Sequence, residues 1–235
     1  MLNEKENCTS RERRIFKTTQ FTCENNKAIL CGKVEKNLEF DHQCRKEKFF
    51  QTRVIVKRLS ETKDNVPVII PEKLLLEKSL PLELEGKIVA ISGQFRSFDD
   101  HSKGVNKLKL YVFAENIKIF EKEEDVEEGQ RNINAVWFKG YICKPTFYRI
   151  TPLGKEITDV VIAINRQNKK SDYIPGILWG KRARAAFELK PGDEVEGVGR
   201  IHSRKYFKRE NPEEPEKGEW KEAYELSIFA VYWNL

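Results

Sequence analysis

Rings and cations crowd together in the second half of this 235-residue chain. Tyr173 and Trp179 sit in the stretch "SDYIPGILWGK", and Tyr206 and Phe207 follow in "SRKYFKR". Eleven cations border them: Arg166, Lys169, Lys170, Lys181, Arg182, Arg184, Arg200, Arg204, Lys205, Lys208 and Arg209. In a β-strand alternate side chains share a face, so Tyr173, Pro175, Ile177 and Trp179 point one way and Ile174 and Leu178 the other. Ile174 and Leu178 already supply a row for a core, which leaves the rings for a surface. Flat rings stack on unpaired bases, and Lys and Arg neutralise phosphates; together they hold a single strand without reading its sequence. Arg can also stack on bases or rings. The plain alternative is a set of core rings beside ordinary solvated charges.

No catalytic constellation competes with this reading. His42, His101 and His202 are far apart, and there is no P-loop, no GxGxxG and no nucleophile elbow. The five cysteines (Cys8, Cys23, Cys31, Cys44 and Cys143) are odd in number and form no CxxC. That pattern fits reduced thiols in a cytoplasm, and opposes a disulfide framework. A zinc site from Cys8, Cys23, Cys44 and His42 would have irregular spacing, and none is expected. The expectation is a non-enzymatic protein with no cofactor and no metal.

Composition permits a polyanionic partner without demanding one. Net charge is +6, 34% of residues are charged and 39% are hydrophobic. No apolar run approaches the ~18 residues of a spanning helix. The first 25 residues hold no apolar signal-peptide core, so a cytoplasmic, nucleoid-associated location is expected.

The elements that must position the rings come as a repeat. "AILCGKVEKNLEF" aligns with "AVWFKGYICKPTFY", placing Gly32 on Gly140, Lys36 on Lys144 and Phe40 on Tyr148, a constant offset of 108. The same offset carries "VIVKR" onto "IAINR" and "KDNVPVIIPEK" onto "SDYIPGILWGK", so Tyr173 falls on Asn65 and Trp179 on Pro71. Beyond that it becomes 106, aligning "GKIVAISGQFRS" with "GDEVEGVGRIHS". Each copy reads as three strands, a short helix ("EKLLLEKSL", "KRARAAFEL") and two strands. This predicts an all-β chain of two tandem five-stranded OB barrels, with the helix between strands three and four. The expected boundaries are a polar arm over 1–26 with a basic knot at Arg11–Arg14, a barrel over 27–120, a solvated acidic linker over 121–131 and a second barrel over 132–235. An acidic loop over Glu210–Glu219 is expected to join the last two strands and stay outside the nucleic-acid track. The first copy keeps Lys57, Arg58, Lys73 and Arg96, with Phe98 near the end of strand four. Its Phe49, Phe50 and Tyr111 read mostly as core, so that copy is expected to bind weakly or serve assembly.

"KGYICKPTFYRITPLGKEITDVVIAINR" and "DYIPGILWGKRARAAFELKPGDEVEGVGRIHSRKY" resemble the bacterial single-stranded-DNA-binding proteins. The likeness covers most of the second copy and less of the first, and two barrels in one chain resemble the duplicated members of some Gram-positive bacteria. The resemblance implies base stacking by Tyr173, Trp179 and Tyr206, which match family ring positions. A further family ring falls near Asn168, which is not aromatic. It also implies single-stranded DNA as partner, in replication, recombination or repair, and a homodimer that brings four OB folds together. Replication or recombination proteins are the further partners that the resemblance implies, but the ending "LSIFAVYWNL" departs from the family's acidic recruiting tip, so recruitment through such a tip is not expected. By residue type alone, the stacking set is Tyr173, Trp179, Tyr206, Phe207 and Phe98. The phosphate set adds Arg58, Lys73 and Arg96 to the cations named above. A protein-docking module and an RNA-binding barrel are the alternatives.

Overall fold

Gly32 and Gly140 sit where each barrel closes. A Cβ on Gly32 would lie 2.3 Å from the carbonyl oxygen of Ile55, and one on Gly140 would lie 2.5 Å from that of Ala163. Only a residue without a Cβ lets the first strand of each unit press against its third. We expect Gly140→Ala to lower stability by about 1–3 kcal/mol, as overpacking does, read as a lower denaturation midpoint at unchanged slope.

The computed structural model describes residues 25–100, 107–209 and 218–233. The first unit runs β1 (Asn26–Val34), β2 (Glu39–Cys44), β3 (Glu47–Lys57), β4 (Lys63–Pro71), α1 (Glu72–Glu77), β5 (Ile88–Asp100) and β6 (Lys107–Phe120). The second repeats it as β7 (Asn134–Ile142), β8 (Phe147–Ile150), β9 (Glu156–Asn165), β10 (Ser171–Trp179), α2 (Lys181–Ala186), β11 (Glu194–Arg209) and β12 (Gly218–Trp233). The chain is a tandem of two OB folds. Each has one more short strand than the five expected, because the polar turn after the first strand is itself extended as β2 or β8. β4 runs parallel to β6, and β10 to β12, which closes the barrels. Arg11–Arg14, Cys8, Cys23, His101 and most of the acidic loop fall outside the described residues, though Glu219 lies within β12. Among the described residues no helix is long and apolar enough to cross a membrane.

The ladders repeat the sequence offset. β1 meets β3 at Lys33 opposite Ile55, and β7 meets β9 at Tyr141 opposite Ala163. Bulges fall at Ser92/Gly93 and Val198/Gly199, each at the same point of its hairpin. Leu74 and Leu75 of α1, and Ala183 and Ala186 of α2, turn inward. One apolar core runs through both units, from Leu30, Ile70 and Phe95 to Phe138, Ile174 and Ile228.

The two units join through their first strands. β1 and β7 pair antiparallel with Ala28 opposite Val136, two residues that are equivalent in the repeat. A pseudo-twofold axis therefore passes between them. Reciprocal bonds confirm it: the Ser97 N–H donates to Asp172 Oδ1 at 2.7 Å, and the Ser203 N–H to Asp64 Oδ1 at 3.2 Å. In return the Tyr173 N–H donates to Ser97 Oγ at 2.8 Å, and the Asn65 N–H to Ser203 Oγ at 2.9 Å. Each unit's long hairpin thus leans on the fourth-strand position of the other.

The acidic linker is not a free solvated spacer. Val126, at 2% exposure, packs with Cys31, Ile133 and Ala135. Arg131 Nε donates to the Val126 carbonyl at 2.9 Å, and the Lys57 N–H to Asn132 Oδ1 at 3.3 Å. A single apolar residue among the acids docks the connection onto the first unit.

Candidate nucleic-acid interface

Three rings of the second unit, Tyr173, Trp179 and Tyr206, lie on the outer face of its sheet. Register carries that face across the strands: Tyr173 is opposite Ala163, Trp179 opposite Ile157, and Arg149 opposite Ile157 on the other side. Continuing across β12 and β11 brings in Ser227 with Arg200, Glu225 with His202, Ala223 with Arg204, and Lys221 with Tyr206. Tyr173 is 46% exposed, Trp179 37% and Tyr206 38%, so all three rings are open to solvent. Ile177, on the same face between Tyr173 and Trp179, is buried. The open surface is therefore interrupted there.

Cations flank these rings unequally. Arg204 Cζ stands 5.9 Å from the Tyr206 ring centroid. Lys169, Lys170, Lys181, Lys205 and Lys208 are exposed, and Arg182 half-exposed. Arg200 is half-buried and has a partner. Arg209 ends β11. Glu225 is drawn into the same face by His202 at 3.2 Å and Arg204 at 4.0 Å. Burial pushes its carboxyl up, but the His202 hydrogen bond and the charges of Arg204, His202 and Arg149 outweigh burial and hold it low.

Several expected phosphate ligands are already committed elsewhere. Arg166 pairs with Asp172, through Nε at 2.7 Å and a short second contact, and also donates to the Ser97 carbonyl at 2.9 Å. Arg58 pairs likewise with Asp64. Both carboxylates are 1% exposed, so these arginines neutralise buried charge at the junction of the units and are structural cations. Arg184 holds Glu156, with Nε 2.8 and 2.9 Å from its two oxygens, and Lys73 pairs with Glu77 at 3.6 Å one helical turn on.

Phe207 does not join Tyr206. Consecutive strand residues face opposite ways, and Phe207 makes an edge contact with Trp220 at 5.5 Å. Lys205 shares that opposite side. On this side Glu222 accepts from Arg53 of the first unit at 3.2 Å, so it looks toward the other barrel. Trp220, 72% exposed, was not singled out from sequence.

The first unit carries more rings on its outer face than sequence indicated. Phe49 lies opposite Pro71, the position at which the second unit has Ile157 opposite Trp179. The ring has moved one strand over. His42 stacks on Phe49 at 4.7 Å and 10°, and Phe49 meets Phe113 at 6.1 Å. Arg96 lies 4.2 Å over the Phe113 ring. Phe98, exposed, and Tyr111 share this face. Of the three rings read as core, Phe50 alone packs against the core cluster. Arg96 and Tyr111 also feel the second unit. Burial, then the charge of Arg166, lowers the Arg96 pKa; burial raises that of Tyr111 against the pull of Arg166 and Arg96.

Among the missed groups, Phe113 and Tyr111 had a signal: they alternate with Leu110, Val112 and Ala114, which are buried. Phe147 and Arg149, also on the outer face, had none beyond their place in an extended turn. Among the described residues no group of His, Cys, Asp and Glu is placed to hold a metal ion.

A family model described as "Single-strand binding protein family" matches residues 133–230, which include Tyr173, Trp179 and Tyr206. Over residues 133–230, the second unit, the chain is thus similar to that family. The match does not extend over the first unit. Among solved structures, wild-type single-stranded DNA binding protein from Thermus aquaticus superposes with a TM-score of 0.66 at 16% identity, covering 89% of this chain and 93% of that one. A deletion mutant of the same Thermus aquaticus protein gives 0.65 at 17% identity, covering 89% and 94%. These two likenesses establish the tandem fold of the single-strand binding proteins, over both units. The N-terminal domain of PriB from Thermoanaerobacter tencongensis is 42% identical over 42% of this chain and 100% of that one, with a TM-score of 0.36, too low to add to the fold. The search of curated proteins found no match.

Proposed function

We propose that this protein binds and protects single-stranded DNA without reading sequence, serving replication, recombination or repair. The observation that carries this reading is the trio Tyr173, Trp179 and Tyr206, solvent-open on one sheet face of a family domain and bordered by Arg204 and exposed lysines. Bases stack on the rings, while Lys169, Lys170, Lys181, Arg182, Arg204 and Lys208 take phosphates. On the first unit His42, Phe49, Phe113 and Phe98 extend the track, with Arg96 beside them. The protein acts without catalysis, in the cytoplasm. Two chains associate to bring four barrels together.

Fluorescence titration with oligo-dT tests the reading. Tryptophan emission is quenched on binding, and log K falls with log salt at about −0.7 per phosphate contacted. A protein-docking module would show neither quenching nor a salt slope. Tighter binding to oligo-rU than to oligo-dT would move the reading to RNA.

A further inference from the structure

Between the docked linker and the first barrel lies a cleft of about 320 Å³. Its cationic lining comprises Lys33, Lys57, Lys63, Lys122 and Arg131, with Asn132 beside them. It lies beyond the row where the second unit's hairpin meets Asn65, away from the Phe49–Phe113 rings. Of its residues, Lys57 alone was among the first copy's cations read from the sequence, and none belongs to the ring faces described above.

Three features distinguish it from ordinary surface charge. Lys57 and Lys63 are direct cross-strand partners in the β3–β4 ladder. Like charges at such a position repel and weaken the ladder, so a counter-charge between them would be stabilising. Of the two acids in the lining, Glu121 is drawn to Lys87, while Glu123 stays in the wall and accepts from the Asn132 Nδ2–H at 3.0 Å. Lys33, Lys57, Lys63 and Lys122 make no ion pair among the described residues. Finally, the far wall is held in place by buried Val126 and the Arg131 bonds to the Val126 and Glu124 carbonyls at 2.9 and 3.2 Å. Several lysines converging on a fixed cleft suit an anion with several oxygens.

We propose that this cleft is a phosphate-recognition site formed jointly by the linker and the first barrel, with Lys57 and Lys63 as its central ligands. The phosphate groups are those of a nucleic-acid backbone or of a free phosphate ester. The backbone source rests on the single-strand reading; the anion site itself does not.

Lys57→Gln with Lys63→Gln in the full chain tests it against two probes. Inorganic pyrophosphate at low salt is expected to raise the unfolding temperature of the wild-type chain and to leave that of the double variant unmoved. If the backbone occupies the cleft, the salt slope for long oligo-dT becomes shallower in the variant by about 1.4, two contacts at about 0.7 each. Pyrophosphate stabilisation with an unchanged slope assigns the site to a free phosphate ester. No stabilisation of the wild type and an unchanged slope overturn the proposal, while ordinary oligo-dT affinity in the same variant keeps the single-strand reading standing. Conversely, absence of oligo-dT binding to the wild type removes that reading and leaves the pyrophosphate result to decide this one.

Discussion

Replacing Trp179 and Tyr206 together by alanine is expected to weaken oligo-dT binding by about 2–6 kcal/mol, roughly 30-fold to 10⁴-fold, since each stacked base contributes about 1–3 kcal/mol. Both rings are partly open to solvent, so the fold should survive. An unchanged thermal midpoint is the control. Duplex affinity should barely move, because paired bases do not present their faces. A loss below threefold on oligo-dT, in a folded variant, would remove these rings from the interface. The same titration separates the barrels. His42→Ala with Phe113→Leu should spare oligonucleotides just long enough for the second unit and weaken longer ones. Equal affinity at every length would return the first unit to a purely structural role.

The second large effect concerns Asp172. Its carboxylate is buried and satisfies Arg166 and the Ser97 N–H, groups from different units. Asp172→Ala leaves a guanidinium and a backbone donor without their acceptor. Removing one partner of such a buried pair costs about 3–5 kcal/mol. Urea denaturation should register that loss. Because the bond spans the units, the transition should also broaden or split, as the two barrels cease to unfold together. A shift under 1 kcal/mol with a single sharp transition would show that the junction does not depend on the Asp172 carboxylate.

The repeat made much of the fold legible. A constant offset placed Gly32 on Gly140 and Ile55 on Ala163, and those residues meet in equivalent closures of the two barrels. It also placed Arg58 on Arg166 and Asp64 on Asp172. That shared spacing was a signal for a buried ion pair, and reading the arginines as phosphate ligands passed it over. The change of offset to 106 marks the loop after the helix, where length is free to vary. What sequence left hidden is which way neighbouring rings face. Phe49 and Phe50 are adjacent, as are Tyr206 and Phe207, and alternation says only that each pair divides. Which member goes outward follows from cross-strand register, and for Tyr206 and Phe207 the bulge at Val198/Gly199 interrupts the same ladder. Val126 was hidden for another reason: one apolar side chain in a run of acids gives no periodicity, yet suffices to dock a short segment.

The axis between Ala28 and Val136 bears on any threadlike ligand. Rotation by half a turn carries one barrel onto its mate and reverses the direction of travel along its surface. A polynucleotide has a 5′ end and a 3′ end, so a strand continuing from one barrel to the next meets the second backwards. Matching surfaces would then offer mismatched fits, and only surfaces that differ, as at Trp179 and Phe49, are free to suit both directions.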